Sequence, residues 1–130
     1  FLLIVSLAVG IASAWTGSLG GNHLFAGSAV LPGIHQSAMW QGDGQSTSEP
    51  GTMTTISTQL GGDEYCGSTI YPNELYDYVS LNNASEADTL DYAYKHECSV
   101  YRCFYAYNYH YFSLSGYGVA NPNTDDYICE

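Results

Sequence analysis

The sequence predicts a mainly β fold: a small, disulfide-stabilised, β-sandwich-like domain with at most one or two short helices. Three observations predict it. The segment YRCFYAYNYHYFSLS, residues 101–115, repeats tyrosine at every second position, which is the rhythm of an extended strand. Short runs rich in Thr, Ile, Val and aromatic residues, the types that fit a pleated surface, are separated by Gly, Pro and Asn. Cys66, Cys98, Cys103 and Cys129 all fall in the second half of a 130-residue chain. With no C-x-x-C pair for zinc, they are expected to form two disulfides in any of three pairings.

The elements follow in chain order. Residues 1–14, FLLIVSLAVGIASA, form an apolar run that closes on Ala12 and Ala14 in an A-x-A arrangement, the pattern of a signal-peptide end. The run is shorter than the roughly twenty residues a membrane-spanning helix needs, so no transmembrane span is expected. It is read as a signal-peptide remnant or, if retained, as an apolar assembly segment. In the second case FLLIV resembles the start of mature type IV pilins, with Val5 where those carry a glutamate. Residues 15–130 are then a single extracellular β-rich domain.

Residues 15–51 hold apolar islands, LFAGSAVLPGI and AMW, without a helical period, and read as short strands and loops. Within them GDGQSTSEPG, residues 42–51, is expected to be a flexible turn or linker. TMTTISTQL reads as a strand closed by a tight turn at Gly61-Gly62, and Gly20-Gly21 reads as another turn. STIY is a further strand, and Pro72-Asn73 breaks the chain. ELYDYVSL, residues 74–81, places Leu75, Tyr78 and Val79 at helical spacing and predicts one short helical turn. TLDYAYKH, residues 89–96, fits a strand better than a helix, with Leu90, Tyr92, Tyr94 and His96 on one face. NPNTDDYICE, residues 121–130, predicts a turn leading into a final cysteine-bearing strand. Asn121, Asn123 and Asp125 carry the spacing of a calcium loop, but Asp126 stands where such a loop needs Gly, so no metal and no cofactor are expected.

If residues 103–112 are extended, Tyr105, Tyr107, Tyr109 and Tyr111 share a face with Cys103, while Phe104, Ala106, Asn108, His110 and Phe112 share the other. Tyrosines two apart then stand roughly 6.8 Å from one another, within ring-interaction range. Aromatics on both faces predict a central strand covered on both sides. The cover for the tyrosines would be the rest of the chain, another subunit or a ligand.

Two basic residues against thirteen carboxylates give a net charge of −11, a field that repels phosphate backbones and excludes nucleic acid as a partner. The leading expectation is a secreted or cell-surface structural protein that associates with copies of itself, as in a filament or matrix, through Tyr105, Tyr107, Tyr109 and Tyr111. The alternative is a secreted carbohydrate-binding module that uses those rings with Trp15 or Trp40. Asn83-Ala84-Ser85 is an N-glycosylation acceptor on a polar stretch. A third reading, placed below two that involve no catalysis, is a small secreted hydrolase using His96 and His110. There Tyr94-Lys95-His96, with Glu97, Arg102 and His110, resembles the Tyr-x-His, Glu, Arg, His set of small fungal guanyl-specific ribonucleases. That resemblance implies acid–base cleavage.

Overall fold

The structure, a computed structural model, describes residues 11–32 and 38–130. Among them the regular elements are all strands: β1 (Ile11–Leu19), β2 (Asn22–Pro32), β3 (Met39–Glu49), β4 (Met53–Cys66), β5 (Thr69–Ala84), β6 (Glu86–Tyr94), β7 (Arg102–Leu114), β8 (Gly118–Ala120) and β9 (Asn123–Cys129). They form two antiparallel sheets packed face to face. The first runs β1-β2-β3-β6; the second runs β5-β4-β7, with β8 and β9 both pairing to the free side of β7. The disulfides are Cys66–Cys98 and Cys103–Cys129. The sandwich-like, disulfide-stapled class expected from the period-two pattern is the one observed. His35 and residues 1–10 of the apolar run lie outside the described residues, while Ile11–Ala14 pair with β2.

Four local expectations are overturned, one of them the break at Pro72-Asn73, which lies inside β5 beside an irregularity in its pairing with β4. Residues 42–51 are no linker; most of them belong to β3, which lies between β2 and β6. Their glycines admit side chains from the opposite sheet: a Cβ at Gly42 would lie 2.4 Å from Leu75 Cδ1, and one at Gly44 only 2.0 Å from Asn108 Oδ1. Gly61-Gly62 is no turn but the interior of β4, where a Cβ at Gly61 would meet Tyr107 Cε2 at 2.3 Å. These glycines serve close approach rather than chain reversal. Residues 74–81 form no helical turn, because β5 runs in register with β4, with Val79 opposite Thr58 and Tyr78 opposite Gln59. Long-range pairing and aromatic content override the helical spacing there. Gly20-Gly21 is the β1–β2 turn, with φ of 53° and 80°, values that favour glycine.

The core is layered along the strands. One apolar cluster gathers Val30, Trp40, Leu60, Leu75, Ala93, Phe104 and Ala106, and the other gathers Leu24, Ala26, Met53, Ile56, Ala87 and Phe112. Between them runs a polar belt. Asn108 accepts hydrogen bonds from Thr58 and Thr89 (3.3 and 3.1 Å) and donates to Ser28 Oγ and to the Asp43 carbonyl (2.8 and 3.2 Å). His110 bonds Ser46 through Nδ1 and Thr124 through Nε2 (2.8 and 2.7 Å). The sides of the sandwich are closed by carboxylates that accept from strand N–H groups. Asp126 takes Val30 N, Asp77 takes Leu90 N, and Asp91 takes Tyr76 N.

Burial creates opposing pH couplings. It lowers the His110 pKa from 6.5 to about 4, so the stability carried by the neutral ring is present above about pH 6.5 and is lost as pH falls toward 4. Asp43, fully buried on the face of β3 opposite Gly44, is raised by burial to about 6, partly offset by its hydrogen bond from Gln41. Its contribution is present below the ordinary carboxylate range and is lost as pH rises through about 6. Asp88 has the same sign, raised by burial and by Glu86 to about 7. Asp43→Asn is therefore expected to gain about 2–3 kcal/mol over the parent between about pH 4 and 7.5 in urea unfolding. Parallel pH profiles for the two proteins would contradict the coupling.

Candidate functional site

The two faces of β7 have different environments. Phe104, Ala106, Asn108, His110 and Phe112 point between the sheets and are buried, whereas the tyrosine face looks outward and is half-buried to exposed. The expectation of a strand covered on both faces is thus corrected: β7 is central within its sheet, but no third layer among the described residues lies over the rings. Residues paired across antiparallel strands point to the same side, so the register defines the whole outer face. Tyr78, Gln59, Tyr109 and Asn123 form one row across β5, β4, β7 and β9; Tyr76, Gly61, Tyr107 and Asp125 form the next; Asp63, Tyr105 and Tyr127 form a third. Ser80, Ser57 and Tyr111 continue the face at the other end.

Ring spacing along β7 is shorter than ideal strand geometry gives. Tyr105 and Tyr107 lie 5.7 Å apart between centroids, and Tyr107 and Tyr109 lie 5.8 Å apart. The absence of a side chain at Gly61 lets the Tyr107 ring lean over β4. Three shallow depressions lie on this face, all walled by Tyr109. One, of about 380 Å³, includes Asp63, Tyr105, Tyr107, Asn123 and Asp125. The second, of about 470 Å³, includes Gln59, Gly61, Asn73, Tyr76 and Tyr107. The third, of about 350 Å³, includes Ser57, Gln59, Tyr78, Ser80 and Tyr111. Another depression, of about 540 Å³, lies by Thr16, Ser18, His23, Phe25 and Thr47 on the first sheet, and Phe25 is the aromatic side chain there besides His23.

The polar groups of the tyrosine face are held in place. Tyr105 donates its hydroxyl to Asp125 Oδ2 at 2.8 Å, and Asp63 Oδ1 accepts the Asn73 backbone N–H at 2.9 Å. Burial and then the Asp125 carboxylate push the Tyr105 phenol up to about 12. Burial, followed by the charge of Asp63, raises Tyr107 as well. Both phenols therefore remain neutral donors in a negative local field. Exposed ring faces, fixed carboxylates and side-chain amides together make a surface that stacks against apolar ligand faces while bonding ligand hydroxyls or amines.

The other predicted residues are dispersed. His110 is 2% exposed, with both ring nitrogens bonded inside the polar belt. His96 follows the end of β6. Its Nδ1 and backbone N–H both bond the buried Glu64 Oε1 (2.8 and 2.9 Å), and its ring stacks on Tyr71 at 3.7 Å. Arg102 bonds the His96 carbonyl at 2.5 Å and Glu130 at 3.4 Å. These contacts clasp the segment after β6 to the sandwich, and they separate the histidines of the ribonuclease-like set into a core and a clasp. Trp40 is fully buried and donates to Glu64, and Trp15 packs on Phe112 between the sheets. Neither belongs to the outer face. Asn83 is exposed with φ of 51°. Asn123 and Asp125 sit on β9, and among the described residues no group of three or more His, Cys, Asp or Glu side chains is arranged to hold a metal. No helix among the described residues is long and apolar enough to cross a membrane.

Sequence reasoning missed Tyr76, Tyr78, Tyr127, Asp63 and Gln59 as members of the face. A signal was present for two of them, since ELYDYVSL alternates Tyr76 and Tyr78 with Leu75, Asp77 and Val79. The fold and face together define a disulfide-stapled antiparallel β-sandwich with an open aromatic surface. No protein-family model matches the chain, and no curated protein shows significant sequence similarity to it.

Proposed function

We propose that the chain is a secreted glycan-binding module whose ligand, a polysaccharide strand, lies on the outer tyrosine face of the second sheet. The carrying observation is that Tyr109 is the common wall of three adjoining depressions, each combining tyrosine rings with hydroxyl, amide or carboxylate groups. A sugar chain needs such a row: apolar ring faces to stack on, interrupted by oriented polar atoms. Two closed disulfides suit an oxidising, extracellular compartment. The function is binding; no catalytic constellation enters this reading.

Self-association through the same face is disfavoured by charge. A net charge of −11 on each copy, with Asp63 and Asp125 within the face, opposes its stacking on itself. The test is affinity electrophoresis and tyrosine-fluorescence titration against soluble glucans, mannans, xylans and amino-sugar oligomers. Tyr76→Ala with Tyr109→Ala, at side chains 64% and 52% exposed, should keep the fold and weaken binding roughly tenfold or more, at about 0.5–1.5 kcal/mol for each stacking ring. Unchanged binding in this variant overturns the assignment of the face. Concentration-dependent oligomers that the same substitutions dissolve would replace the reading with self-association.

A further inference from the structure

Resting on that reading, we infer that the face selects a positively charged amino-sugar polysaccharide over its neutral, acetylated counterpart and over acidic glycans. The chain has two Lys and Arg residues in all. Both are engaged away from the face, Lys95 with Glu130 at 2.8 Å and Arg102 with Glu130 and the His96 carbonyl. No Lys or Arg side chain is thus present on the face to receive a uronic acid or a sulfate. Instead, two carboxylates stand among the rings: Asp63 opposite Tyr105, and Asp125 opposite Tyr107. Asn73 N donates to Asp63, and the Tyr105 hydroxyl donates to Asp125.

An ammonium group is recognised by this pairing of elements. Aromatic faces attract it through the ring quadrupole, most strongly when it is partly desolvated, and a nearby carboxylate completes the contact. The depression holding Tyr105, Tyr107, Tyr109, Asp63 and Asp125 supplies both. The phenols of Tyr105 and Tyr107 are raised first by burial and then by the neighbouring Asp125 and Asp63 charges, which add a negative field to the geometry of the depression. A free amine on the sugar gains from that field. Acetylation removes its charge, and a carboxylate on the sugar reverses the interaction.

The experiment compares short glucosamine oligomers with N-acetylglucosamine oligomers of equal length, by calorimetry in mildly acidic buffer where the amine is protonated. The parent protein should bind the amine form at least roughly tenfold more tightly. Asp63→Asn with Asp125→Asn keeps the oxygen acceptors for Asn73 and Tyr105 and should bring the two ligands to parity. Glu49→Gln with Glu97→Gln removes the same charge from exposed positions outside the face and should leave the preference intact. Equal or tighter binding of the acetylated form overturns the selectivity and leaves the glycan-binding reading standing. A preference that survives in the Asp63/Asp125 variant, or that disappears in the Glu49/Glu97 variant, assigns it to net charge and overturns it too. Failure of both oligomers and of every neutral glycan overturns the selectivity and the reading together.

Discussion

Asn108→Ala should lower the unfolding free energy by roughly 3–5 kcal/mol, among the largest effects of any single side chain in the core. Asn108 sits at 0% exposure on β7 and makes four side-chain hydrogen bonds, one to Thr58 within its own sheet and three, to Thr89, Ser28 and the Asp43 carbonyl, that join the sheets. Alanine leaves the Thr58 and Thr89 hydroxyls and the Asp43 carbonyl short of a partner in a dry interior, and it opens a void under Gly44. Each unsatisfied buried group costs about 1–3 kcal/mol, although Ser28 keeps its contact with Thr124. Leucine is no remedy, because it fills the volume without serving these groups. Urea denaturation of parent and variant measures the difference. A loss below about 1 kcal/mol would mean that the belt is satisfied some other way.

Glu64→Ala should cost a similar amount, about 3–4 kcal/mol. The carboxylate is fully buried and accepts Trp40 Nε1 at 2.5 Å together with both His96 donors. Arg102 Nε approaches its second oxygen at 3.9 Å and has no hydrogen-bond partner. Removing the carboxylate leaves the indole N–H and the His96 backbone N–H without their acceptor and takes away the charge beside Arg102 Nε, although the guanidinium keeps the His96 carbonyl and Glu130. It also loosens the segment that Cys98 ties to Cys66. Glu64→Gln, which keeps one acceptor oxygen, should lose less. The Trp40 emission reports the change directly: it should shift as its hydrogen bond is lost, before global unfolding. If Glu64→Ala and the parent unfold at the same urea concentration, the clasp contributes nothing.

The legible part of this fold was its period. Alternation along residues 103–112 exposed β7 and placed Phe104, Ala106, Asn108, His110 and Phe112 on one shared face, which the structure turns to the interior. Local composition misled where a residue's role depends on a distant partner. Gly44 signals freedom when read beside its neighbours, but its missing side chain is the complement of Asn108, which lies 64 positions onward. Gly61 stands in the same relation to Tyr107. The polar belt was hidden for the same reason, since Ser28 and Thr124, bonded at 2.5 Å, are 96 residues apart.

The candidate face was half legible. Tyr105, Tyr107, Tyr109 and Tyr111 announced themselves by spacing, but nothing in one strand reveals which neighbours stand beside it. Tyr76, Tyr78, Tyr127 and the two aspartates join the face only through the register of β5, β4 and β9. Whether the rings were covered was likewise beyond reach. An exposed and a buried tyrosine row look the same in sequence, because tyrosine is intermediate in burial. Trp40 shows the converse error, an aromatic offered for the surface that lies in the core beside Phe104, 5.2 Å between ring centroids.

Backbone amide NMR during titration with a glucosamine oligomer would show whether the tyrosine face receives a sugar chain. Shifts are expected to be confined to residues 57–63, 76–80, 105–111 and 123–127, with the first sheet unmoved. Shifts centred on β1, β2 and β3, or a face that responds only to protein concentration, would contradict binding there.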